Sequence, residues 1–305
     1  MTLISVLVSL FLDRILFFHR DSSAGTWFGR TAEALARRLP ADWNGVGGVL
    51  VVVMPPTIVM AVLQWGAAHL LFGLAGLLLG IAVLLFALGP LDIVNMTEDY
   101  IDARQADDAE RTAWYFERST GEAPPATPQE EGRRMAAAVL YQGHDNLFAT
   151  VFWFCVLGPM GAVLYRMAAE LALHPGPTLV ARPALLRAAR HVVGVLGWIP
   201  TRLIAFGYAM TGSFEEALGR LRRGFHISDD VLESNRQLLV DAGTAALRQG
   251  EDGRGAAEEE PIGLDVERRS DDAAGVVDQA RALAQRTAVL WLAVLALLTL
   301  GGWFG

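Results

Sequence analysis

VGGVLVVVMPPTIVMAVLQW, residues 46–65, is twenty residues without a formal charge. As a helix it rises about 30 Å, the thickness of a bilayer's hydrocarbon layer. A second uncharged run, Leu70 to Leu91, follows a short turn around Gly66 to His69, so residues 46–91 read as a transmembrane helical hairpin. Pro55 and Pro56 are expected to kink the first helix, because each ring removes a donor and crowds the preceding turn. Gly76 and Gly80 form a GxxxG pair that would let another helix approach closely.

Working outward, the next apolar block runs from Leu147 to Tyr165 and stops at Arg166, whose side chain can snorkel to the interface. It reads as a third span, and residues 147–212 then add a re-entrant or fifth-span segment, Val192 to Met210. That segment carries Pro200 near its centre and Arg202, which at the bilayer midplane would cost roughly 2.5–3.5 kcal/mol unless it faced protein or water. The last block, Thr287 to Phe304 within 287–305, is bounded by Arg286 and holds Trp291 and Trp303 where interfacial aromatics belong. At the other end, residues 1–45 hold an amphipathic helix and a basic segment. Ser5, Ser9 and Asp13 recur every fourth residue and share one helical face, which reads as an inward face and not as a cleaved leader. The fold class expected is an all-α, polytopic membrane helical bundle with amphipathic helices and acidic cytoplasmic helices.

Composition agrees and excludes several chemistries. Of 305 residues, 53% are apolar, and the mean hydropathy of +0.35 is high for an aqueous enzyme. All 25 basic residues are arginine, which removes the lysine-dependent P-loop and any Schiff-base nucleophile. One cysteine, Cys155, reads as a small buried hydrophobe. A net charge of −8 argues against nucleic acid as a partner. The expected partners are the lipid bilayer and an anionic small-molecule ligand, with a homo-oligomer left open. Arginines number five in residues 1–45, five in 92–146 and ten in 213–286, with none in the hairpin turn. By the positive-inside rule all three arginine-bearing segments are expected in the cytoplasm.

The loop at 92–146 has twelve acids against five arginines. Thr97 to Thr120, free of proline and glycine, reads as one exposed helix; GEAPPATP at 121–128 reads as a loop, and Glu130 to Tyr141 as a second helix. Residues 213–286 combine amphipathic helix around Leu218 to Leu239 with a flexible linker between Gln249 and Gly275. The six histidines show no HxxxH or HExxH pairing, so no local metal site is expected.

Polar residues committed to a bilayer are costly and therefore informative. Asp13, Arg14, His144, Asp145, Asn146, Arg166, Glu170 and Arg202 stand inside or beside the apolar blocks. Arg166 and Arg202 have planar forks suited to phosphate or carboxylate, and Asp13 and Asp145 could be their ion-pair partners or metal ligands. An internal ion pair joining helices explains them equally well. His144-Asp145-Asn146 can likewise be an N-cap.

FWFCVLGPMGAVLYR at 152–166 and GWIPTRLIAFGYAMTGSFEEAL at 197–218, with LFLDRILFFHR at 10–20 and the charged TEDYIDARQADDAERTAWYFERSTGE at 97–122, resemble the AmpE inner-membrane proteins, which are related to the CobD/CbiB cobalamin-biosynthesis proteins. The resemblance covers most of the chain. It implies a sensor or signalling modulator in the control of β-lactamase induction, holding an anionic or nucleotide ligand. The CobD branch implies an ATP-dependent, amide-forming adenosylcobinamide-phosphate synthase, with ATP and a divalent metal. Transport of a cell-wall fragment is a further alternative. Where that branch carries Gly-Arg-Asp this chain has Glu117-Arg118-Ser119, keeping Arg118. Its acidic-plus-asparagine motif becomes Tyr141 to Asn146, with Asp145 in register. The resemblance thus adds Arg118 to Asp13, His144, Asp145, Asn146, Arg166 and Arg202 as candidate ligand contacts.

Overall fold

A computed structural model describes residues 5–9, 23–40, 42–68, 74–88, 92–143, 147–212, 230–255 and 273–301. Among these residues there is no strand. After a helical stretch at 5–9 come α1 (Ser23–Arg37), α2 (Val46–Ala68) and α3 (Leu74–Leu88). Three polar helices follow, α4 (Asp92–Gln105), α5 (Ala109–Thr120) and α6 (Pro128–Gly143). The remainder is α7 (Ala149–Leu157), α8 (Pro159–Leu173), α9 (Pro177–Val180), α10 (Pro183–Thr211), α11 (Val231–Gly255) and α12 (Ala273–Leu300).

The run at 46–65 is a helix on all sides apolar, and α2 exposes Ile58, Val59, Val62 and Leu63. A helix without a polar face belongs in lipid or in a deep core, and only 28% of the most apolar window of α2 is buried in protein. The same window of α12 is 17% buried. Among the described residues three helices, α2, α10 and α12, are long and apolar enough to cross a bilayer, and α3 is a shorter apolar helix. Ser5 and Ser9 are buried, and a side chain on Gly80 of α3 would meet Ser5 Oγ at 3.1 Å. The inward stripe therefore holds for the serines; Asp13 lies outside the described residues.

Two cores are built from these helices. The first joins Val49 and Val52 of α2, Leu84 of α3, Met167 of α8, Leu185 of α10 and Leu295 of α12. The second joins Tyr100 of α4, Phe116 of α5, Leu140 of α6, Tyr208 of α10, Leu239 of α11 and Val277 of α12. Helices α10 and α12 thread both cores in opposite directions and tie them together, with Thr211 and Thr287 hydroxyls 2.9 Å apart at one crossing.

Three expectations change. The block at 147–165 is not one continuous helix. It breaks at Gly158, whose φ of 72° and ψ of −158° suit only glycine, and Pro159 starts α8 at its first turn. Helix α8 then runs back along α7: a side chain on Gly161 would meet Leu157 Cβ at 2.8 Å, and Ala149 packs in one cluster with Tyr165 and Ala169. Second, the helix expected over 97–120 is two. Ala106 to Asp108 interrupts it, with Asp107 at φ 53° and Asp108 capping α5 through its side chain. It is not a solvated rod, since Tyr100 and Phe116 are fully buried. Third, α11 continues helical to Gly255, into the stretch expected as linker; residues 256–272 and 213–229 lie outside the description.

Candidate functional site

The buried charges collect where α8 emerges from the break. Arg166 and Glu170, one turn apart on α8, pair at 2.6 Å with both side chains nearly inaccessible. The other Glu170 oxygen lies 3.6 Å from Nδ1 of His174, which is exposed, so the series leads from the interior to the surface. Helix α1 lies alongside and presents Gly29 to the Glu170 carboxylate. One turn on, Glu33 of α1 accepts hydrogen bonds from the Thr178 amide, at 3.0 Å, and the Thr178 hydroxyl, capping α9. Arg182 then donates to the Leu39 carbonyl at 3.0 Å. These contacts hold the end of α1 and the start of α2 against the connection between α8 and α10.

Arg202 belongs to a different contact. Its guanidinium stacks on Trp198, 3.9 Å from the ring centre, and donates to the Trp198 carbonyl and to Asn235 Oδ1 of α11, each at 3.0 Å. Asn235 is buried and donates in turn to the Gly194 carbonyl at 2.8 Å. The positive charge thus ends in an α10–α11 clamp, which removes the midplane cost that a lipid-facing arginine would carry.

A third polar group sits in the second core. Tyr100 donates to Glu131 at 2.8 Å, and Arg104 lies 3.6 Å from the other Glu131 oxygen. Burial, and then the bond to Glu131, push the Tyr100 hydroxyl above its ordinary range.

At the break itself, the carbonyl of Leu157 and the amide of Met160 are answered by Gln64 of α2. Its side chain donates to the first at 3.2 Å and accepts from the second at 3.0 Å.

Two cavities accompany these groups. One, of about 190 Å³, is apolar and lies between α7 and α12, with Phe148, Phe152, Trp291 and Leu295 among its walls. The other, of about 310 Å³, lies between α4 and α12 and is lined by Glu98, Asp102, Asp278 and Arg281.

The family model described as "Regulatory signalling modulator protein AmpE" matches residues 1–246. The chain belongs to the AmpE family. Among curated proteins, this AmpE-family chain is 31% identical over 185 residues to "Cobalamin biosynthesis protein CobD" of Stutzerimonas stutzeri (strain A1501), covering 57% of the chain and 56% of that protein. It is 37% identical over 103 residues to the protein of the same name from Chromobacterium violaceum, covering 34% and 32%. The chain therefore spans about half the length of the first relative and a third of the second. No solved structure matches. The relation between the AmpE and CobD groups that the strings at 152–166 and 197–218 implied is thereby shown, as is a membrane protein of AmpE/CobD type.

For an AmpE-family member, the fit to a nucleotide and divalent metal is poor among the described residues. Arg166 and Arg202 have separate partners, one within α8 and one across to α11. The polar cavity has three carboxylates against one arginine, the wrong sign for polyphosphate. No three His, Cys, Asp or Glu side chains among the described residues are grouped to hold a metal. Arg118 is exposed in the last turn of α5, where a cation suits the helix dipole. Asp13, His144, Asp145 and Asn146 lie outside the described residues. Gln64 escaped the sequence reading because an uncharged amide does not interrupt a hydropathy run; the Gly-Pro pair at 158–159 was the available signal that its partner groups would need it.

Proposed function

We propose that this protein is a regulatory or sensory modulator of the bacterial inner membrane, acting in the cell-envelope response that controls β-lactamase induction. The observation carrying this reading is the AmpE family match over residues 1–246. The arginines support it, because those the CobD-like chemistry would need for phosphate are committed to helix contacts. An anionic small molecule remains the proposed signal. Deleting the coding sequence in its native bacterium is expected to change the β-lactamase level reached on induction, and the intact gene to restore it. Unchanged induction would overturn the reading.

The similarity to a cobalamin biosynthesis protein over 185 residues favours a second reading, the ATP-dependent amide-forming synthase. The same deletion strain separates the two: a requirement for supplied cobalamin, with normal induction, would establish the second at the expense of the first.

A further inference from the structure

We infer that residues 147–173 do not change sides of the membrane. On this assignment α7 and α8 form a re-entrant hairpin, α10 lies along the interface, and every described arginine-bearing segment meets the headgroups of one leaflet.

The hairpin follows from three contacts. Ala149 packs with Tyr165 and Ala169, Gly161 abuts Leu157 and the Trp153 carbonyl, and Gln64 closes the tip at Leu157 and Met160. Arm α7, with 9 residues, falls well short of the 20 or so of a span. Backbone left open by such a break survives in hydrocarbon only when protein satisfies it, which the Gln64 amide does.

Independent contacts require the same result. Where the uncharged runs 46–65 and 70–91 cross and return as the hairpin read from the sequence, residues before α2 and the helices after α3 share a side. Glu33 touches Thr178, Leu39 touches Arg182, and Gly48 lies against Leu185, where a side chain would come within 3.1 Å. The connection from α8 to α10 is therefore on that side too. A single crossing at 147–165 would have separated these partners by the whole bilayer.

Helix α10 is long enough to span, yet 61% of its most apolar window is buried in protein. Helix α11 lies along it from Gly194, opposite Leu232, to Gly212, opposite Ala246. The outer face of α11 exposes Arg236, Gln237 and Asp241, side chains that hydrocarbon would not accept. The large apolar side chains that α10 exposes, Val195, Ile199, Phe206 and Met210, recur at helical spacing as one apolar stripe. Water on the α11 side and lipid under that stripe describe an interfacial helix. Arg187 and Arg190 are exposed on its first half, beside the α1 end with exposed Arg37 and Arg38. This corner is cationic in an acidic protein and complements anionic phospholipid headgroups. All described arginines outside the bilayer then obey the positive-inside rule, including Arg182, Arg187 and Arg190, which five crossings would have placed outside.

Single cysteines at Gly66, Ala126, Ala181 and Gln237, in the full chain carrying Cys155→Ala, test this with a membrane-impermeant maleimide on sealed vesicles of known orientation. The expected result is labelling of Ala126→Cys, Ala181→Cys and Gln237→Cys from one side and of Gly66→Cys from the other. Ala181→Cys reacting with Gly66→Cys would overturn the hairpin, and Gln237→Cys doing so would overturn the interfacial α10. Arg190→Cys serves on the same segment if Ala181→Cys does not accumulate. A site that reacts in neither vesicle orientation until detergent is added would contradict the assignment as well.

Discussion

Replacing Gln64 with leucine removes both hydrogen bonds at the α7–α8 break while nearly preserving side-chain volume. The Leu157 carbonyl, 3.2 Å from Nε2, and the Met160 amide, 3.0 Å from Oε1, would lose their partners together. Orphaning a fully buried group costs about 1–3 kcal/mol, and these two are half-buried, so the variant is expected to lose about 1–3 kcal/mol in all, less a little for the added apolar contact. Gln64→Glu keeps an acceptor for Met160 but turns a carboxylate toward the Leu157 carbonyl, and should recover no stability. Thermal unfolding in detergent reads the total, and hydrogen exchange of the segment containing Met160 reads the site, where protection should fall before that of α2. Gly158→Ala is a companion, since the added carbon would lie 2.6 Å from Gln64 Nε2 on a backbone that L-residues avoid. If Gln64→Leu melted like the wild type with an unchanged exchange pattern, the amide would not be closing the break.

The Arg166–Glu170 pair predicts a sign. Arg166→Leu strands a buried carboxylate and should cost about 3 kcal/mol or more, whereas Arg166→Leu with Glu170→Leu should be the more stable of the two in the same melt. Across the α10–α11 clamp, a double-mutant cycle of Arg202→Met and Asn235→Leu should give a coupling of about 1.5–3 kcal/mol, and Arg202→Lys should not rescue, because an ammonium cannot both stack on Trp198 and hold the fork. Tyr100 is protonated in the fold well above the pH at which an unfolded tyrosine ionises, so its contribution is complete below about pH 10 and is lost as pH rises further. Tyr100→Phe should be less stable at pH 8 and lose less than the wild type between pH 9 and 11; equal alkaline losses would show that this hydroxyl does not carry the effect.

The hairpin start at Val46 was legible because no neighbour is needed to explain twenty uncharged residues. The same hydropathy misled at 147–165, where it sums across Gly158-Pro159 as though the helix continued; at 192–210 it left the choice between span and re-entrant segment open, because it does not register the α11 face that covers α10. In the acidic loop, composition concealed Tyr100 and Phe116 as core residues, because their burial depends on α6, α11 and α12 arriving from far along the chain. Arg166 was legible as costly and Glu170 as its neighbour. That Arg202 ends on Trp198 and Asn235 depends on a parallel helix whose register no local pattern encodes.

The reversal at Gly158 underlies both the fold and the one-sided placement, and cysteine cross-linking tests it directly. In the Cys155→Ala chain, Ala149→Cys is paired with Tyr165→Cys or with Ala169→Cys and mildly oxidised in membranes. A straight helix would hold these positions about 24 and 30 Å apart and beyond any disulfide. The hairpin predicts an intramolecular cross-link in at least one pair, and its absence in both would contradict it.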